Sequence, residues 1–251
     1  MRNSLKSEFL KLATVRSTYV LALIAAIITT FFALYVEGYK GEGEMATSAL
    51  SKDAFTELIP NVGNITASFA AVVLILFFVH EYRYNTIMHT LTATNSRTKA
   101  LAAKLLAAAA YSAVFALLMI GVGLLMYLLG VSLRGGTLAP QVFSPLATIG
   151  KSVFYTVGYS LLGALFAVLT RNLAAAIVLL LFGLGTVEAL LGLLLKHNNI
   201  YLPLTTLHQV LGSARIEDGA MTPLRAAALF AVYLIVGWAI GWYLFLKRDA
   251  N

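Results

Sequence analysis

The chain contains no cysteine among its 251 residues, so disulfide bonds and any chemistry that needs a thiolate are excluded. Charged residues are also scarce, at 12% of the sequence, whereas a soluble domain carries about 25%. Hydrophobic residues make up 60%. This composition is typical of a membrane protein rather than of a soluble enzyme or binding domain.

Two short stretches resemble chemical motifs but lack residues that the chemistry needs. In VHEYRYNTIMH (79–89), a zinc-protease helix would require histidine at the position of Tyr84, and His89 lies on the opposite side of a helix from His80. PLATIGKS (145–152) has Pro145 where a phosphate-binding loop begins with glycine. We therefore predict that this chain is not an enzyme and has no catalytic residues, metal site or cofactor-binding site.

What the sequence does contain is a series of long apolar runs. A helix that crosses the hydrocarbon layer takes about 20 apolar residues, and only helices or closed barrels satisfy their backbone groups there. The runs are continuous rather than alternating, which favours helices. Residues 18–251 are thus predicted to form one all-α, multi-pass membrane domain. Its predicted spans are 18–36, 61–79, 105–129, 152–169, 173–195 and 223–246.

Lysine and arginine are unevenly distributed between the two sides of these predicted spans. They concentrate around both termini, the segment 80–104 and Arg171, whereas basic and acidic residues balance on the other side. The positive-inside rule therefore predicts cytoplasmic N and C termini. The net charge of +7 is explained by this topology, so nucleic acid is not an expected partner.

The first 17 residues precede the first span and are predicted to form an amphipathic helix at the membrane interface. Leu5, Phe9, Leu12 and Ala13 share a face at helical spacing, with the basic residues largely away from it. Such a helix lies among the lipid headgroups. Its expected role is to hold the first span at a fixed angle.

The segment 80–104, HEYRYNTIMHTLTATNSRTKALAAK, separates the second and third predicted spans on the cytoplasmic side. It is too polar to cross the membrane, and a plain connection can be far shorter. Ile87, Met88 and Leu91 stand as apolar residues among its polar ones. This combination favours a docking surface for a cytoplasmic partner.

The same segment carries the residues of a family resemblance. They are Glu81-Tyr82-Arg83, Thr86-Ile87, Thr90-Leu91, Arg97 and Ala103–Leu106. Together with SLKSEFLKL (4–12), YLPLTTLHQVLG (201–212) and FLKRD (245–249), they resemble the permease subunits of ABC exporters of the type-2, or type V, class. The resemblance extends over the layout of essentially the whole chain.

This resemblance implies a permease that moves a lipid-like, peptide or drug-like substrate out of the cytoplasm across the plasma membrane. It also implies two protein partners. One is a separate ATP-binding cassette subunit, which holds the ATP and magnesium. The other is a second copy of this chain, giving a homodimer, or a related permease. The segment after span two would be the coupling helix, with Glu81, Arg83, Thr86, Ile87, Leu91 and Arg97 as its coupling residues.

Glu188 is the ionisable residue predicted to lie well inside a span, beyond the middle of the fifth run. A carboxylate in hydrocarbon is costly unless it pairs, faces a cavity or is protonated. Glu188 is therefore either a polar point on the substrate path or outer gate, or a buried carboxyl satisfied by a neighbouring Tyr, Ser or Thr. Tyr155, Tyr159 and Leu207 are further candidates for the path or gate, although the tyrosines suit a core equally well. Leu207 lies in a short helix predicted within an outer re-entrant segment, 196–222.

Two other function classes compete with the permease. A stand-alone secondary transporter, not driven by ATP, would usually show matching halves with broken helices, and no inverted repeat is evident in the sequence. A membrane enzyme would need a His/Glu or Ser/His set at one depth within the spans, and the predicted spans contain none. The permease that the resemblance implies is therefore the leading expectation.

Overall fold

The computed structural model describes residues 2–40, 48–50, 52–83, 96–135, 137–140, 145–212 and 221–247. Helices account for nearly all of them. They are α1 (Arg2–Thr14), α2 (Arg16–Tyr39), α3 (Lys52–Arg83), α4 (Arg97–Leu133), α5 (Leu146–Thr170), α6 (Leu173–Leu195), α7 (Pro203–Leu211) and α8 (Pro223–Lys247). A 3₁₀ segment, Lys196–Tyr201, joins α6 to α7. Two short strands, β1 (Ser48–Leu50) and β2 (Thr137–Pro140), pair in parallel.

Six helices in the described part of the chain, α2 to α6 and α8, are long and apolar enough to cross a bilayer. This confirms the predicted number and indicates a multi-pass membrane protein. α3 and α4 begin at Lys52 and Arg97, before the predicted spans at 61 and 105, so each helix extends beyond the apolar run that it contains. The first turns of both helices are amphipathic. In α3, for example, Glu57 faces outward while Leu58 and Ile59 are buried.

The centre of the molecule is the pair α3 and α5, with α4 packed beside them. The apolar windows of these three helices are between 44% and 67% buried, whereas those of α2, α6 and α8 are between 11% and 17% buried. Short polar contacts cross the central interfaces. Ser160 donates to Ser112 across α5 and α4 at 2.8 Å, and Ser152 donates to the Ile59 carbonyl of α3 at 3.3 Å.

Glycines allow the helices to approach closely. The end of α2 is π-helical over Phe32–Tyr39, and there its backbone touches α4, because a side chain at Gly130 would collide with the backbone of Gly38. In α8, a Cβ at Gly237 or Gly241 would lie within 2.9 Å of the Leu165 side chain of α5. The small-residue spacing of α8 therefore serves packing within the chain.

The connections divide the bundle into two ends. The C-terminal ends of α3, α5 and α8 meet the N-terminal ends of α4 and α6 at one end, which we call the α1 end because α1 packs there. The guanidinium of Arg171, just after α5, lies 4.9 Å from the ring of Tyr82 near the end of α3. The opposite end, the α7 end, carries the 3₁₀ segment and α7.

Candidate functional site

Four charged side chains meet at the α1 end, and we call them the four-charge cluster: Glu8, Lys11, Glu81 and Lys104. Lys11 Nζ lies 2.5 Å from Glu8 and 2.7 Å from Glu81. Lys104 Nζ lies 2.9 Å from Glu81 and 3.6 Å from Glu8. The charges therefore alternate in sign around a closed ring. The ring joins α1 to the last turn of α3 and the second turn of α4.

The four-charge cluster is largely removed from solvent. Glu8 is 3% exposed, Lys104 6% and Glu81 9%. Lys104 Nζ also lies 4.2 Å from the centre of the Phe77 ring and 5.2 Å from that of Phe78, a geometry in which an aromatic face stabilises a cation. Buried charges are tolerated only when they are paired, so each member of the ring depends on its neighbours.

Lys11 is the most exposed member of the ring and stays cationic. Partial burial lowers its pKa, but the hydrogen bonds and negative charges of Glu8 and Glu81 outweigh this, and the net pKa of Lys11 is raised. Because the raised pKa favours the charged form, the stabilisation is fully present below pH 10.5, the ordinary value. It is lost only as the pH rises through the folded-state pKa. Lys11 therefore stays positively charged beside Glu8 and Glu81 at physiological pH.

The residues predicted to couple to a partner are not all in the described part of the chain. Glu81 lies in the four-charge cluster. Arg97 begins α4 and donates to the Leu246 carbonyl near the end of α8, at 3.2 Å. Arg83 is the last residue of α3, and its side chain lies outside the described set. Thr86, Ile87 and Leu91 lie outside the described residues altogether, within 84–95.

Three members of the cluster, namely Glu8, Lys11 and Lys104, belong to no functional site predicted from the sequence. One signal was available: Glu81 and Lys104 are opposite charges close to the facing ends of consecutive helices. On α1, Leu12 is buried within the bundle, whereas Phe9 and Ala13 are exposed. The ion pairs of Glu8 explain the difference, because they turn that side of α1 toward the bundle.

At the α7 end, Glu188 of α6 binds the first turn of α7. Its carboxylate accepts hydrogen bonds from the backbone amides of Leu204, at 2.6 Å, and Thr205, at 2.9 Å. It also accepts one from the Thr205 hydroxyl, at 3.0 Å. Glu188 is buried, at 6% exposure. The start of α7 has free amides and a partial positive charge, so a carboxylate stabilises it, and Leu202, at the N-cap position, offers no side-chain acceptor.

The middle of α7 is tied to the centre of the bundle through a tyrosine. Tyr155 Oη donates to Asn64 Oδ1 at 2.8 Å and lies 3.1 Å from His208 Nε2. His208 Nδ1 lies 2.8 Å from the Leu204 carbonyl, which can only accept, so Nδ1 carries a proton. Two arrangements then satisfy the contact between Tyr155 and Nε2. If Nε2 also carries a proton, Nε2 donates to the tyrosine oxygen. If Nε2 carries none, the tyrosine donates to it, and the side-chain amide of Asn64 is rotated.

The remaining path or gate candidates lie in the same region. The rings of Tyr155 and Tyr159 are stacked, with centroids 6.2 Å apart, and both are buried. Leu207 is fully buried, at 0% exposure, on the face of α7 that meets α5 and α8. The structure thus brings Glu188, Tyr155, Tyr159 and Leu207 together around α7.

A pocket of about 490 Å³ opens beside Glu188, and we call it the Glu188 pocket. It lies between α6 on one side and the 3₁₀ segment with α7 on the other. Its lining residues are Gly185, Glu188, Ala189, Gly192, Leu193, Asn199, Leu204, Thr205 and His208. In the described part of the chain, no group of three or more His, Cys, Asp or Glu side chains could hold a metal ion.

Residues 12–250 match the family described as "Protein of unknown function (DUF2705)". The chain belongs to this family. A comparison with curated proteins found no match. The DUF2705 description names no activity, so the function of this member has to be inferred from its own residues and geometry.

Proposed function

We propose that the chain is the membrane-spanning permease subunit of an ATP-driven exporter of the ABC class. In this proposal a separate ATP-binding subunit hydrolyses ATP, with its magnesium. The permease then moves a lipid-like, peptide or drug-like substrate out of the cytoplasm. The proposal rests on the resemblance of the 81–106 stretch and on the arrangement of the residues that flank 84–95.

The observation that carries the proposal is the four-charge cluster. Glu81 and Lys104 stand on the two helices that lead into and out of 84–95, and they are ion-paired at 2.9 Å. Glu8 and Lys11 tie α1 to both of them. A segment that passes force from a partner to the spans needs a base that moves as one body, and a buried ring of ion pairs supplies such a base.

The placement of the chain in its membrane is part of the proposal. We expect the plasma membrane, with both termini and the α1 end in the cytoplasm, because basic residues concentrate there. The exposed side of α1 carries Phe9 and Leu10, which suits contact with membrane lipid at the interface. α2, α6 and α8, with their largely exposed apolar faces, are available to lipid and to a second copy of the chain.

The α7 end is the proposed outer gate. α7 follows a reversal of the chain after α6 and packs on α5 and α8, as a re-entrant helix would. Glu188 holds its first turn, and Tyr155 holds its middle through His208. In this proposal a shift of α7 away from Glu188 opens the path past Tyr159 and Leu207.

The test is association with an ATP-binding cassette subunit co-expressed with the chain. We expect the two to co-purify, and we expect Ile87→Asp and Leu91→Asp each to release the ATP-binding subunit, because an introduced charge opposes an apolar contact. Asn95→Asp is the matched control, since it adds the same charge to the same segment without removing an apolar side chain. A complex that survives Ile87→Asp and Leu91→Asp together contradicts the docking role.

The competing secondary transporter makes a different prediction for the purified chain. Reconstituted alone in vesicles without ATP, a secondary transporter uses an ion gradient to move its substrate, whereas the proposed permease moves no substrate. Transport under those conditions would replace the ABC proposal.

A further inference from the structure

The Glu188 pocket exists because one face of α6 is made of very small residues. Gly185, Ala189 and Gly192 follow at helical spacing and leave a groove. A Cβ would fit in this groove, since at Gly192 it would lie 3.8 Å from its nearest neighbour, Asn199. A Cβ at Gly185 would lie 3.9 Å from its nearest neighbour, Leu204. Unlike Gly130, these glycines do not permit a close backbone contact, so packing alone does not account for them.

The polar groups of the Glu188 pocket favour a ligand that donates hydrogen bonds. Each carboxylate oxygen can accept two hydrogen bonds, and Oε1 of Glu188 accepts one, from the Leu204 amide. The Thr205 hydroxyl donates its hydrogen bond to Glu188, so toward a ligand in the pocket its oxygen can act only as an acceptor. Both nitrogens of His208 are engaged with Tyr155 and the Leu204 carbonyl. Asn199 adds a side-chain amide that both donates and accepts, and the oxygens of Glu188 and Thr205 add acceptors without adding donors.

The charge of the pocket points the same way. Among its described lining residues, Glu188 is the one with a formal charge. The start of α7 offsets this charge only in part, because a helix N-terminus carries about half a positive charge. A cationic donor, such as an ammonium group, therefore complements the pocket better than an anion or a neutral acceptor does.

The wall of the pocket continues into an apolar surface. Leu193 lines the pocket and is 77% exposed, and its neighbours Leu190 and Leu194 on α6 are 59% and 79% exposed. A hydrocarbon chain that leaves the pocket along this face stays in contact with apolar side chains. An amphipathic molecule therefore fits both parts of the site, with its head beside Glu188 and its tail along α6.

We propose that the Glu188 pocket binds the ammonium headgroup of an amphipathic amine, whose hydrocarbon tail lies along Leu190, Leu193 and Leu194. The binding itself depends only on the pocket. The further statement that such amines are the exported substrate rests on the proposed function. Glu188 and Thr205 accept from the ammonium group, and the glycine face of α6 makes the space for it.

The test is binding of radiolabelled dodecylamine to the purified full-length chain in maltoside micelles at neutral pH, without ATP or any partner. The amine is then a cation and dodecanoate an anion. We expect saturable binding of dodecylamine, and competition by unlabelled dodecanoate or dodecanol that is at least about tenfold weaker, since hydrogen bonds to charged groups are the strong ones. Equal competition by dodecanoate or dodecanol would overturn the proposal.

Two variants locate the binding. Gly192→Leu and Gly185→Leu each place a larger side chain in the pocket while keeping the Glu188 carboxylate, and each should weaken dodecylamine binding at least about tenfold. Gly121→Leu is the matched control, because a Cβ at Gly121 on α4 would have no neighbouring atom within 4 Å, and this variant should bind dodecylamine as the unsubstituted chain does. Monodisperse elution of all three variants shows that they are folded.

The outcomes separate this inference from the proposed function. If Gly192→Leu and Gly185→Leu are folded and bind dodecylamine normally, the pocket is not the site, and the association with an ATP-binding subunit is unaffected. If no ATP-binding subunit associates with the chain but the two leucine variants lose binding, the ligand site stands without the transporter.

Discussion

At the scale of single residues, Lys104 is the side chain on which the α1 end depends most. Its ammonium lies between Glu81 and Glu8 at 2.9 and 3.6 Å and faces the Phe77 ring. Removing one partner of a buried ion pair costs about 3 to 5 kcal/mol, because the other charge is left uncompensated. Here two carboxylates would be left with only Lys11 between them.

Lys104→Met is therefore expected to lower the free energy of unfolding by about 3 kcal/mol. Adding Glu8→Gln to that variant should restore part of the loss, because it returns the cluster to one carboxylate and one ammonium. Neighbouring substitutions of this kind couple by about 0.5 to 3 kcal/mol. The measurement is chemical unfolding in micelles of the single and double variants.

Lys99→Met is the control for this double-mutant cycle. It removes a lysine from the same helix, but at an exposed position, so a change within about 0.5 kcal/mol is expected. If the double variant is less stable than Lys104→Met alone, the charges do not act as an alternating ring.

At the scale of elements, α7 shows where sequence reasoning succeeds and where it ends. Pro203 at the first position and the spacing of Leu204, Leu207 and Leu211 predict the helix and its buried face, and these leucines are buried. The partner of Glu188 was not predictable in the same way. Two of its three hydrogen-bond donors are backbone amides, at Leu204 and Thr205. Because every residue except proline has a backbone N–H group, no residue type in the sequence marks these donors.

Glu188→Gln should loosen α7 without disturbing the centre of the bundle. A glutamine offers one acceptor oxygen, and its amide group opposes one of the two backbone N–H groups, which leaves a donor unsatisfied at a cost of about 1 to 3 kcal/mol. We expect faster hydrogen exchange of the Leu204 and Thr205 amides, with little change in α3 and α5. Hydrogen–deuterium exchange by mass spectrometry in micelles resolves these segments.

Glu57→Gln provides the comparison, because Glu57 is an exposed glutamate near the start of α3 and its substitution should leave exchange in α7 unchanged. Unaltered protection of the Leu204 and Thr205 amides in Glu188→Gln would show that the carboxylate does not hold α7, and would contradict the proposed role of Glu188 in an outer gate.

At the scale of the whole molecule, hydropathy predicts the number of spans because each helix must present apolar residues to the hydrocarbon layer. It does not predict which helix ends meet. Glu81 pairs with Lys11 at a separation of 70 residues, and Arg97 contacts Leu246 at a separation of 149. Such contacts follow from how the helices pack. Charges also occur near helix ends because they set the orientation of the spans, so the sequence has no distinctive pattern that shows which of these charges pair.

The absence of cysteine makes the orientation of the molecule directly measurable, because single cysteines can be introduced into a chain that has none. Ser7 and Lys247 are exposed at the α1 end, and Lys40 and Leu146 are exposed at the other end. In intact cells we expect a membrane-impermeant maleimide to label Lys40→Cys and Leu146→Cys, but not Ser7→Cys or Lys247→Cys, since the positive-inside rule predicts a cytoplasmic location for the basic α1 end. Permeabilised cells should label all four, which controls for access. Labelling of Ser7→Cys in intact cells would put the four-charge cluster and the 84–95 segment outside the cell, where a cytoplasmic ATP-binding subunit could not bind them. The permease proposal therefore depends on this result more than on any single contact.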